Sequence, residues 1–214
     1  AINSKFNELS NTMLDAVTNY GASDIISDTS SVDIDAVTLG KVSSCRNTGA
    51  VYGDINTGGI AGSMAVEYAL DPEDDVTAHI SDSYRRQYEY KAVVQKCVNS
   101  GEVLGKRSYA GGIAGRMDLG LITDCESYGA VTSENGSYVG GIAGVTGAVV
   151  RSSYAKCTLS GRKYVGGIVG SGVAEKASGS ASSVAGCYAL VEIADCQQYR
   201  GAISGSDSGA FLEN

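Results

Sequence analysis

Short apolar runs recur along the chain at a near-constant pitch, and glycines follow each. Val42, Val94, Ile122, Val150 and Val184 open five units, and three residues later stand Cys45, Cys97, Cys125, Ser153 and Cys187. Six residues further on lie Val51, Val103, Val131, Leu159 and Ile193. After nine to eleven more come Ile60, Ile113, Ile142, Ile168 and Ile203. Each of these last sits inside a glycine motif. It reads Gly-Gly-Ile-Ala-Gly at 58–62, 111–115 and 140–144, Gly-Gly-Ile-Val-Gly at 166–170, and in worn form Gly-Ala-Ile-Ser-Gly at 201–205. Where nothing intervenes, the return to the next unit takes nine residues (Ile113 to Ile122) or eight (Ile142 to Val150). One turn is then about 26 to 29 residues.

A helical repeat of this size would need two amphipathic helices, and four or more Gly or Ser per unit make that costly. Short β-branched runs broken by glycine read as strands and turns. One such unit cannot bury its apolar face alone, whereas stacked copies share one core and pair each backbone with the next. The expected fold is all-β: a parallel β-solenoid of about five rungs. At ~4.8 Å per rung it is a stubby rod about 25 Å long.

The ends and the irregular stretches read differently. Ile2, Phe6, Leu9, Met13, Val17 and Tyr20 share one helical face, with Ser4 as N-cap and Gly21 beyond the C-terminus. Residues 1–23 are therefore expected to be an amphipathic helix, either a cap on the open solenoid end or a stalk. Residues 24–214 form the solenoid, with 24–41 as a connector or imperfect first rung and Phe211 and Leu212 closing the last. Two returns are overlong, and both insertions, at about 64–91 and 171–182, leave just after the glycine motif. Insertions on one side of a solenoid often build its binding face.

The longer insertion carries the only Pro (Pro72), the only His (His79), and an acidic group, Asp71, Glu73, Asp74 and Asp75. Those carboxylates are the chain's candidate metal ligands, for Ca²⁺. They lack the spacing of an EF-hand loop, and a solvated turn is the plainer reading. The run Tyr84-Arg85-Arg86-Gln87-Tyr88-Glu89-Tyr90 has the residue types that favour interfaces. Its alternative is an edge strand packed on the solenoid. A further row, Asn56, Tyr109, Tyr138, Tyr164 and Tyr199, precedes each glycine motif by two residues. Strand alternation turns these tyrosines inward. A bend at the glycines would instead turn them outward, as an aromatic strip suited to sugar rings.

The aligned cysteines are expected to be a ladder of buried thiols. No Cys-x-x-Cys occurs, and stacked positions form a row rather than a tetrahedron. Cys157 and Cys196 lie off the ladder, where a disulfide involving one of them stays open. The net charge of −8 argues against nucleic acid or an anionic membrane as partner. No run reaches the ~18 apolar residues of a membrane span. The chain opens at Ala1 rather than Met, which signal-peptide removal or truncation would equally produce.

The glycine motifs, the apolar-x-x-Cys steps and the repeated Gly49-Ala50-Val51, Gly101-Glu102-Val103 and Gly129-Ala130-Val131 resemble the GLUG-motif repeats over about 42–205. Those repeats occur in bacterial surface and secreted proteins, including non-catalytic parts of some immunoglobulin-A peptidases. The fourth unit departs from the pattern, with Ser153 in the Cys place and Cys157 in the Gly place. The resemblance implies a secreted or cell-surface bacterial protein and a non-enzymatic adhesion module. Its partner would be a host or matrix glycan or protein, with no cofactor and no catalytic residues. A polysaccharide lyase or glycosidase on a β-helix is the alternative, with the acidic group and Arg85 or Arg86 as its machinery. A pilin-like or spacer domain without a ligand is a third.

Overall fold

The computed structural model describes residues 5, 26–36, 39–64, 88–172, 182–206, 210–212 and 214. Five strand segments per turn repeat through four rungs, and four of them recur in a fifth, where Ser204 makes an isolated bridge to Val169. In the first rung they are Lys41–Ser43, Arg46–Asn47, Val51–Gly53, Thr57–Gly58 and Ala61–Met64. In the third they are Leu121–Thr123, Glu126–Ser127, Val131–Ser133, Val139–Gly140 and Ala143–Thr146. Each segment pairs in parallel with its equivalent one rung on, so five narrow parallel sheets form the faces of a solenoid.

The register follows the apolar spacing. On the first face Val42 pairs with Val94, Val94 with Ile122, Ile122 with Val150 and Val150 with Val184. On the third face Val51, Val103, Val131, Leu159 and Ile193 run in one row. A one-residue slip would turn every apolar side chain outward, so the row is strongly specified.

The interior is pinched into two lobes. One holds Val94, Ile113, Ile122, Ile142, Val150, Ile168 and the ladder cysteines Cys97, Cys125 and Cys187. The other holds Val103, Ala110, Val131, Val139, Leu159 and Val165. The pinch lies at the second glycine of each motif. A methyl on Gly112 would sit 2.0 Å from Ser127 Oγ, and one on Gly141 would sit 2.6 Å from Ala155 Cβ. The same glycine also faces the next rung: a methyl on Gly167 would lie 1.9 Å from the Ala202 carbonyl oxygen. This accounts for the worn fifth copy. Ala202 occupies the second-glycine place in the last full rung, and no described residue follows it there.

The two ends differ. Strand Ala210–Leu212 adds to the first face beyond Ser183–Ala185. Asn214, three residues past Phe211, takes the cysteine position of a sixth rung. Its Oδ1 accepts the Cys187 N–H at 3.0 Å and its Nδ2 donates to the Val184 carbonyl at 3.0 Å. On the third face the terminal strand Glu192–Asp195 carries a register shift against Leu159/Ser160 and exposed charged residues, features that blunt an open edge. At the other end Val42, Ile60 and Met64 are only partly buried against the core. The expected N-terminal helix over 4–20 lies outside the described residues, apart from Lys5. Residues 26–28 are not a rung: Ile26–Asp28 pairs in parallel with Tyr88–Tyr90.

Candidate functional site

Tyr109, Tyr138, Tyr164 and Tyr199 form a continuous stack up the outside of the solenoid. Successive ring centroids are 5.3, 4.8 and 4.7 Å apart, with interplanar angles of 26°, 3° and 9°. The inward expectation fails for a local reason. All four residues have positive φ, 70°, 67°, 55° and 61°, and Asn56 in the first rung has 54°. A left-handed residue breaks strand alternation at the tyrosine itself, so the next residue turns inward instead. Ala110, Val139 and Val165 are fully buried.

The stack is not a flat platform for sugars. Tyr138 and Tyr164 each have a neighbour on both faces, so they present ring edges and hydroxyls to solvent. Tyr199, at the end of the row, is 57% exposed. At the other end the Arg116 guanidinium lies over the Tyr109 ring, 5.8 Å from its centroid. Burial, with the flanking rings adding to it, raises the Tyr138 phenol above its ordinary pKa. The stack is a structural spine, each aromatic contact contributing about 0.5–1.5 kcal/mol.

The two insertions leave from the same corner, between the fifth and first faces. One runs from Met64 to Tyr88 and the other from Gly172 to Ser183. In the intervening rungs Asp118, Leu119 and Gly120, or Gly147 and Ala148, suffice. The insertion's last strand, Tyr88–Tyr90, lies on this corner. Tyr90 packs against buried Leu119, and the Asp28 carboxylate accepts the Gly120 N–H at 2.8 Å. Tyr90 therefore has a packing role. Tyr84, Arg85, Arg86 and the acidic residues Asp71, Glu73, Asp74 and Asp75 lie outside the described residues, as does most of the second insertion. Tyr88 is described by its backbone alone. Arg116 donates to Asp118 Oδ1 at 2.6 Å at this corner, a contact within its own rung that the repeat pattern does not single out.

All six cysteines are free thiols, Cys157 and Cys196 included. Cys97, Cys125 and Cys187 are buried on the ladder and Cys45 is exposed at its end. The ladder is polar as well as packed: the Cys45 N–H meets Cys97 Sγ at 3.4 Å, and the Cys97 thiol donates to the Gln95 carbonyl at 3.2 Å. Ser153 keeps the pattern, accepting the Cys125 N–H at 3.2 Å. Contact with Cys97, reinforced by burial, holds the Cys125 thiol protonated far above the ordinary range. Burial pushes Cys157 up to about 12. Cys125 and Cys157 therefore have the properties of inert structural thiols, whereas hydrogen bonding with Cys125 lowers the buried Cys97 to about 6. Among the described residues no group of three or more His, Cys, Asp or Glu could hold a metal ion.

No protein-family profile matches the chain, and no curated protein does. A solved structure described as a "putative immunoglobulin A1 protease" from Bacteroides ovatus is similar, at 25% identity and a TM-score of 0.53. The match covers 81% of this chain but 48% of that one, so the chain spans about half of its neighbour's length. The β-solenoid architecture is thus shared with part of a larger bacterial protein.

Proposed function

We propose that this chain is a non-catalytic binding module of a secreted or surface-exposed bacterial protein, built from GLUG-like repeats. Its ligand, a host or matrix glycan or protein, is recognised by the residues inserted between Met64 and Tyr88. One observation carries the reading: both insertions depart from a single corner of the solenoid, three rungs apart. Regular rungs supply rigidity and register, and sequence freedom is concentrated where it leaves the core untouched. The likeness to half of a protein described as an immunoglobulin A1 protease supports a place within a larger extracellular protein that meets host material.

The test replaces residues 66–86 with a short Gly-Ser linker and compares both proteins on glycan arrays and in pull-downs from mucosal secretions. The reading expects at least one ligand captured by the parent chain and lost in the variant, with thermal unfolding unchanged. Identical capture profiles for the two proteins, with no ligand lost, or turnover of a polysaccharide abolished by Asp74→Ala, would overturn it.

A further inference from the structure

A third irregularity lies on the opposite side of the coil, at the corner between the third and fourth faces. The step from the inward apolar residue to the left-handed residue is five residues in the first rung (Val51 to Asn56) and six in the second (Val103 to Tyr109). It is seven in the third (Val131 to Tyr138), five in the fourth (Leu159 to Tyr164) and six in the fifth (Ile193 to Tyr199). The fourth rung is thus recessed behind the longer third, while the fifth takes up its extra residue at the register shift between Ile193 and Asp195 and runs level with the fourth. The recess is a half-open notch of about 320 Å³. Thr132, Glu134 and Asn135 line one wall, Asp195 and Gln197 the other, and Arg162 of the short rung lies between them.

These side chains are unspent. At the same corner between the first two rungs, the Arg107 guanidinium is paired with the Asp54 carboxylate, one contact being 2.9 Å. Arg162 has no such partner, and none of the six side chains is hydrogen-bonded or ion-paired to another described residue. Backbone bonds fix their positions instead: the Arg162 N–H donates to the Gly136 carbonyl at 2.9 Å and the Gln197 N–H to the Arg162 carbonyl at 3.0 Å.

We propose that the notch binds one neutral pyranose unit of a glycan. Its volume stands at the small end of ligand sites, where a single ring fits. Carboxylates accept from adjacent hydroxyls, amides both donate and accept, and a guanidinium donates in a fork, so vicinal diols find partners on every side. Two carboxylates against one guanidinium leave the site net negative, which disfavours sialic or uronic acids. The guanidinium between the carboxylates disfavours a bare cation such as Ca²⁺. The site is separate from the insertion corner and does not depend on it.

Saturation-transfer NMR on the full chain tests this, with a panel of methyl glycosides of neutral hexoses and N-acetylhexosamines, and with sialic acid and CaCl₂ as separate arms. At least one neutral glycoside should bind, and Arg162→Ala should weaken it roughly ten-fold or more, as loss of a charge-assisted hydrogen bond implies. Inserting two residues after Arg162 should fill the notch and abolish binding, with thermal unfolding checked in parallel. Replacing 66–86 should leave this binding unchanged, so its failure is distinct from failure of the insertion-borne site. No transfer to any neutral glycoside would overturn the proposal. So would binding of sialic acid or Ca²⁺ alone, or transfer unaltered by Arg162→Ala.

Discussion

Gly144 lies against the backbone of Tyr109 one rung behind it: a methyl on Gly144 would stand 2.8 Å from both the Tyr109 carbonyl carbon and the Ala110 nitrogen. The relation recurs between Gly170 and Tyr138 and between Gly205 and Tyr164. The last glycine of the motif and the tyrosine spine are therefore one device, a left-handed corner over which the next rung must pass without a side chain. Gly144→Ala should cost about 3 kcal/mol or more, since backbone rather than a mobile side chain has to yield. Gly49→Ala is the control, because its methyl would meet only Asn47 Oδ1 at 3.8 Å. It should stay within about 0.5 kcal/mol. Urea unfolding of the two variants makes the comparison.

The spine predicts a graded response. Tyr138→Ala removes two stacking contacts and should cost about 1–3 kcal/mol beyond lost burial. Tyr199→Ala removes one and should cost about half as much. Tyr138→Phe keeps both rings in place and should be nearly neutral. Thermal melts of the three variants separate a stacked spine from independent surface residues, which would all lose equally little.

Thiol titration tests the ladder. In the native protein one thiol, Cys45, should react quickly with Ellman's reagent, and all six should react after denaturation. Six rapid equivalents in the native state would contradict the burial, and fewer than six after denaturation would reveal a disulfide.

The buried thiols also set an alkaline limit. Cys157 titrates at about 12 in the folded chain against 9.0 as an ordinary thiol, and burial raises Cys187 as well. A pKa raised by folding leaves stability intact below the ordinary value and loses it as pH climbs towards the folded one. Melting temperature should thus fall between about pH 9 and pH 12, and Cys157→Ala should flatten that fall. Melts across the range at constant ionic strength check it.

The rungs were legible because each of Val42, Val94, Ile122, Val150 and Val184 is followed at fixed intervals by a cysteine or serine and further apolar residues. Period and register follow from that spacing alone. The direction of the tyrosines was not legible, because parity counting assumes extended backbone and the left-handed residue is the tyrosine rather than a glycine. The pinch of Gly112 on Ser127 joins residues fifteen apart across the interior, which one-dimensional spacing does not reveal. The notch was visible only as a variation of nine to eleven residues, without its location. That both insertions share a corner could be counted from the chain, but Arg116, Asp118 and Leu119 beneath that corner emerge only when the rungs are stacked.

In the proposed function the regular rungs are scaffold and the insertion from Met64 to Tyr88 recognises the ligand. Hydrogen–deuterium exchange, with and without a glycan or protein captured by the parent chain, tests it most directly. Binding should slow exchange across 65–87 and the adjoining turn Asp118–Gly120, leaving the paired faces of the rungs unchanged. Slowing confined to the rung faces, with 65–87 unaffected, would contradict it.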